Sequence, residues 1–243
     1  MYIAKLSKET FAQAIKEIKT VVIPIGSIEA HGSHCPLSTD IIVPEHILSL
    51  MEKTHGDKIL IAPSVNYGYT PSLAYFPGTV HISGETLTNY VFELAQGWVK
   101  WGAEYIILFN GHGGNTAALT LVANKVAESG ATCVLVNWWQ NYSKEILEIC
   151  DAQGHAGEDE TSVVLAIDPD LVDMSKAGVH DKQLMASIFA PDAIHYSYPD
   201  ALNGDARKAS VEKGEAIYEA VCQSFAKMLE RLWAKDWTDN KPI

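Results

Sequence analysis

From residue 20 onward, apolar runs of strand length alternate with segments of helical spacing, and that order leaves few architectures open. The runs are Val21-Val-Ile-Pro-Ile25 within 20–26, Lys-Ile-Leu-Ile-Ala at 58–62, Glu-Tyr-Ile-Ile-Leu-Phe at 104–109 and Thr-Cys-Val-Leu-Val at 132–136. Between them, 41–53, 84–101 and 115–129 read as helices; Glu85 stands early in the second, and Gly102 and Gly130 stop the last two. Continuous apolar strands joined by helices predict an α/β fold with a mainly parallel sheet, right-handed crossovers and helices on both faces. A chain of 243 residues can bury a full core of this kind, so one domain spanning 1–243 is expected.

Composition narrows the possible partners. The net charge is −12 with no cluster of Lys or Arg, which excludes a phosphate-backbone ligand held by basic side chains, so no nucleic acid is expected. No apolar run nears the roughly 20 residues that span a bilayer. The segment at the N-terminus is amphipathic and has no apolar leader core. Cys35, Cys133, Cys150 and Cys222 are widely spread, which predicts neither a disulfide framework nor a zinc knuckle. The expectation is a reduced, cytoplasmic protein.

In parallel α/β sheets, ligands collect outside the carboxyl ends of the strands. Directly after the first apolar run, 26–40 holds Glu29, His31, His34 and Asp40. Imidazole and carboxylate together form the mixed shell taken by Zn²⁺, Mn²⁺ or Fe²⁺. Glu29 and His31, two apart, would point the same way in an extended strand end, and Asp40 would return over them from a loop. After the third run comes Asn110-Gly-His112-Gly-Gly-Asn115, whose only side chain able to bind a metal is His112. This turn lacks both the Gly-x-Gly-x-x-Gly fingerprint and a Walker lysine. A third segment, Gly154-His155-Ala-Gly-Glu158-Asp-Glu160-Thr-Ser162, precedes an apolar helix at 163–167. Its acids suit a solvated helix N-terminus, whereas small residues packed around His155 suit a close ligand.

In order along nearly the whole chain, 26–40, Tyr67-Gly68 with Phe76-Pro-Gly-Thr79, 110–115, 155–162, and Gly204-Asp205 with Ala209-Ser210 and Glu212-Lys-Gly214 resemble the successive motifs of the creatininase family of metal-dependent amidohydrolases. The resemblance implies a three-layer α/β/α sandwich, a homohexamer, and two divalent metals per subunit bridged by an aspartate and a water. Carried over, Glu29, Asp40 and His112 would hold one metal. His31 and Asp40 would hold the other, with Glu160 as first choice for a further acidic ligand, Glu158 as the alternative, or an extra water in its place.

Three departures bear on the substrate. Creatininases carry a Glu two residues after the histidine matching His112, and this chain has Gly114. The tryptophan that covers creatinine, four residues before the histidine matching His155, is Asp151. Where many members have a His shortly before Phe-Pro-Gly-Thr, Leu73-Ala-Tyr75 stands. Gly114 is therefore expected to leave room for a bulkier amide, and creatinine is expected to be a poor substrate. His155 is the candidate for proton transfer to the leaving nitrogen. Glu160 is either a ligand or the partner that orients His155. Trp138, Trp139 and Tyr142 either wall the pocket or pack in the core. The functional expectation is hydrolysis of a small linear or cyclic non-peptide amide; a metal-holding assembly protein without turnover is the alternative.

Overall fold

The computed structural model describes residues 1–180, 185–186, 188, 190 and 194–238. Four parallel strands, β1 (Thr20–Ile25), β2 (Leu60–Ile61), β3 (Tyr105–Asn110) and β4 (Thr132–Asn137), form a sheet in the order β2-β1-β3-β4. β1 pairs with β3 from Thr20↔Tyr105 to Ile25↔Asn110, so the two central strands end side by side. The helices are α1 (Lys8–Glu17), α2 (Thr39–His55), α3 (Gly84–Lys100), α4 (Thr116–Glu128), α5 (Trp138–Asn141), α6 (Ser143–Leu147), α7 (Glu158–Ile167), α8 (Ile194–Ser197) and α9 (Val211–Trp233).

Strand alternation divides the core in two. Val21, Ile23 and Ile25 of β1, with Ile106 and Leu108 of β3, face α1, α3 and α4. Val22, Ile107 and Phe109 face α2, α7 and α9. Every residue of β1 is buried, as expected of a parallel strand covered on both faces. The molecule is thus an α/β sandwich with a mainly parallel sheet.

Several expected boundaries shift, with consequences for the site. The strand expected over 58–62 contracts to Leu60–Ile61. The helix expected from 163 begins at Glu158, so the acids make its first turn, yet Glu158 and Asp159 are buried rather than solvated. The helix expected from 41 begins at Thr39, which moves Asp40 from a loop into the first turn of α2. There its negative charge is favoured by the helix dipole. Pro44, four residues on in the same helix, has no N–H to give the Asp40 carbonyl. That carbonyl instead lies against Gly111 just beyond β3, where a Cβ would come within 2.1 Å of it. A glycine is required there because the first turn of α2 rests directly on the strand end. α9 lies outside the expected layout apart from its N-terminal motif, and it buries Ile217, Tyr218, Val221, Phe225, Leu229 and Leu232. None of the described helices is long and apolar enough to cross a membrane.

Candidate metal centre

Beyond the carboxyl ends of β1 and β3, two groups of acids and imidazoles meet at Asp40. The first is Glu29, Asp40 and His112, and the second is His31, Asp40 and Glu160. His112 Nδ1 lies 3.1 Å from both Glu29 Oε1 and Asp40 Oδ2. His31 Nε2 lies 3.1 Å from Asp40 Oδ1 and 3.6 Å from Glu160 Oε2. Glu29 and His31 are wholly buried, and Asp40 is nearly so.

Backbone carbonyls orient each ring. His112 Nε2 is 3.0 Å from Tyr69 O, His31 Nδ1 is 3.2 Å from Glu29 O, and His155 Nε2 is 2.9 Å from Ala30 O. With that nitrogen donating its N–H, the other nitrogen faces the acids and would offer its lone pair to a cation that displaced any proton there, as in metal-binding histidines whose far N–H is held. Asn110 fixes the His112 backbone, its Oδ1 accepting from His112 N and its Nδ2 donating to His112 O. Glu160 accepts from Ala156 N at 2.7 Å. Ala156 holds the left-handed φ of 52°, a strained backbone of the kind found at functional sites.

The donor set fits divalent cations. Glu29 Oε1 and Oε2 and Asp40 Oδ2 are buried and accept no well-formed hydrogen bond, with His112 Nδ1 3.1 Å from Oε1 and from Oδ2; carboxylate oxygens so placed are costly to bury, and a bound cation would relieve that cost. Ligand atoms about 2.0–2.2 Å from one ion sit roughly 2.8–3.6 Å apart around a tetrahedron or octahedron, and the separations above fall in that range.

Charge is tightly linked across the cluster. Burial opposes charging of His31, but Asp40, Glu160 and Glu29 outweigh it and raise its pKa to about 10. His112 is likewise raised well above the ordinary value by Glu29 and Asp40 against the effect of burial. Burial lifts Glu160 to about 8, with Asp40 adding to it and His31 opposing. At pH 7 His31 and Glu160 therefore hold protons that a bound cation would displace. Proton displacement makes metal affinity rise with pH. Log K for Zn²⁺ or Mn²⁺ should climb by about one or more per pH unit between about pH 6 and 8, and calorimetry in buffers of different ionisation enthalpy should register the released protons. A flat profile would contradict this assignment.

His155 stands beside the cluster. Its Nδ1 is 3.8 Å from Glu29 Oε1, and its ring is 4.3 Å from that of His31. Burial, with the His31 charge, lowers its pKa to about 3, so the ring is neutral at pH 7. Glu158 points elsewhere, ion-pairing with Lys213 and accepting from Asp151 N at 3.0 Å. His34 also stays outside, with Nε2 2.9 Å from Thr161 Oγ1.

A cleft of about 410 Å³ opens onto Glu29, His112, His155 and Glu160, walled by Tyr69, Leu73, Trp139 and Tyr198. Trp139 lines it, whereas Trp138 and Tyr142 pack in the core. Asp151 is exposed and pairs with Lys208 at 2.8 Å. The expected extra room at Gly114 is absent. A Cβ there would lie 2.1 Å from Tyr69 O, because the carbonyl that orients His112 occupies the space. Tyr69 and Tyr198 carry no sequence signal of their part in the site, and Ala156 and Asp159 are marked only as members of the 155–162 motif, since their individual parts depend on backbone geometry or long-range folding.

A model of the creatininase (creatinine amidohydrolase) family matches residues 4–229. The creatinine amidohydrolase of Pseudomonas putida is 28% identical over 229 residues, covering 85% of this chain and 86% of that one. The mycofactocin precursor peptide peptidase of Mycolicibacterium smegmatis is 30% identical over 239 residues, covering 95% and 92%. A manganese creatininase structure superposes with a TM-score of 0.84 at 25% identity, covering 95% of this chain and 97% of that one. A variant creatininase of Zn-Zn type gives the same TM-score. With a family model matching residues 4–229 and a fold shared with creatininase structures, the chain belongs to the creatininase family of amidohydrolases.

Proposed function

We propose that the protein holds two divalent cations of the Zn, Mn or Fe class and hydrolyses the C–N bond of a small amide. Glu29 and His112 would hold one cation, His31 and Glu160 the other, with Asp40 shared. The observation that carries this reading is the set of buried carboxylate oxygens that accept no well-formed hydrogen bond, faced by imidazoles whose other nitrogens are tied to backbone carbonyls. Such a pair of cations supplies a nucleophile from water near neutral pH and polarises the substrate carbonyl. Neutral His155 accepts a proton at Nδ1 and passes it to the leaving nitrogen, while its Nε2–H stays on Ala30 O. Tyr198 packs edge-on against His155 at 5.4 Å and limits its rotation. The family resemblance supports a cytoplasmic homohexamer built of one domain over 1–243.

Relatives are named for creatinine, a precursor peptide, an inosose and a formylamino-pyrimidine, so substrate choice rests on the cleft. Asp151 offers no covering surface over it, and creatinine hydrolysis is expected to stay below about 10⁴ M⁻¹s⁻¹ in kcat/KM. A higher value would mean that Trp139 has taken over the covering role. The decisive experiment reconstitutes the protein with Mn²⁺, Zn²⁺ or Fe²⁺, counts ions per chain by elemental analysis, and measures turnover on amides, lactams and formamides. Full metal content with no hydrolysis of any of them would refute the reading.

A further inference from the structure

One more carboxylate lines the cleft and belongs to neither acid–imidazole group. Asp159 is only 1% exposed, yet it borders the cleft beside Trp139, Gln153 and Gly154. Its oxygens are held by neutral donors: Gly154 N to Oδ1 at 3.0 Å and Gln153 Nε2 to Oδ2 at 3.3 Å. Gln153 is fixed in turn, donating to Trp139 O at 2.9 Å and accepting from Ser143 Oγ at 2.6 Å. Among the described residues, no Lys, Arg or His nitrogen lies within 4.0 Å of Asp159. A buried carboxylate with only neutral partners carries a large desolvation cost that an incoming cation would relieve.

The rest of the cleft has the same bias. Its described lining includes Glu29, Asp159 and Glu160 but no Lys or Arg, so away from the cations no basic side chain of that kind is there to pair with a phosphate or carboxylate on a substrate. Trp139, Tyr69 and Tyr198 add aromatic faces, which attract cations.

We propose that Asp159 anchors a positively charged substituent of the substrate, so that the enzyme selects amides bearing an ammonium or amidinium group over neutral ones and disfavours phosphorylated or carboxylated ones. This rests on the amide-hydrolase reading of the cleft and names the substrate class within it. The contrasting role for Asp159 is to hold the turn at 153–157 without meeting substrate.

A matched ladder separates the two roles. On metal-loaded protein at pH 7, acetamide, propanamide and butanamide are compared with glycinamide, 3-aminopropanamide and 4-aminobutanamide, and with succinamate as the anionic member. Both turnover and calorimetric binding are read. At one or more lengths the amine should exceed its neutral counterpart by about tenfold or more, through KM rather than kcat, with succinamate weakest. Asp159→Asn should bring the amine-to-neutral ratio close to one. Absence of amine preference in the native protein at every length, or a preference that survives Asp159→Asn, overturns the anchor. Since the native ladder can overturn the anchor alone, a poorly folding variant does not spare the proposal. Amine-selective binding without turnover would refute amide hydrolysis and leave the anchor standing. Turnover or binding without selectivity would refute the anchor, with turnover leaving hydrolysis intact.

Discussion

Replacing Asp40 by Asn is expected to weaken both cations together, by about 10²-fold or more in affinity, and to bring turnover to background. The reason is positional. Asp40 Oδ2 faces His112 Nδ1 and Asp40 Oδ1 faces His31 Nε2, each at 3.1 Å, so one side chain completes both groups. Each imidazole pulls the Asp40 carboxyl below the ordinary range against the effect of burial, and an amide can neither carry that charge nor bridge two ions. Folding itself should survive, since Asn matches Asp in shape and its Oδ1 can still accept from His31 Nε2. The melting temperature provides an independent readout. A bound ion at a hundred times its dissociation constant stabilises by about 2.7 kcal/mol, so metal should raise the native melting temperature and leave that of the variant unchanged. Loss of only one ion per chain from Asp40→Asn would show that the two groups do not share this residue.

His155→Ala should do the reverse, keeping both ions while turnover falls by about 10² to 10⁴. His155 joins Glu29 and His31 in a possible third ligand group, but its 3.8 Å separation from Glu29 Oε1 is longer than the contacts made by His31 and His112 to Asp40. Its depressed pKa also leaves it a neutral acceptor beside the cluster. Elemental analysis of the variant separates the two roles. Loss of an ion with His155 would move the ring into the coordination sphere and leave proton transfer to another group.

Most of the layout is legible along the chain. β1, β3, β4, α3 and α4 lie within a residue or two of the expected positions, because a doubly covered parallel strand needs a continuous apolar run and a crossover helix needs an apolar stripe. α9 is the longest of the elements that the expected layout lacks, although Ile217, Val221, Phe225, Leu229 and Leu232 recur at near-helical spacing; the local signal is present there, beyond the N-terminal motif. The place of Asp40 is a different matter. Its position in a helix rather than a loop depends on Gly111 leaving space for the α2 backbone, a contact between segments far apart in the chain that no stretch around Asp40 can announce.

By itself the sequence determined the chemistry on offer: an α/β chain with Glu29, His31 and His112 just past strand ends, His155 and Glu160 on a later segment, and no basic cluster to hold an anion. Residue type and strand-end position suffice for that, because imidazole and carboxylate bind the same ions wherever folding brings them together. Only the tertiary structure placed Glu160, and not Glu158, beside His31. The two are separated by two residues on α7, so helical rotation sends Glu160 to His31 and Glu158 to Lys213. It likewise decided that Tyr69 O fills the space beside Gly114 and that Asp159 borders the cleft without a counter-charge. Those facts depend on distances between segments remote in the chain, which no local pattern encodes.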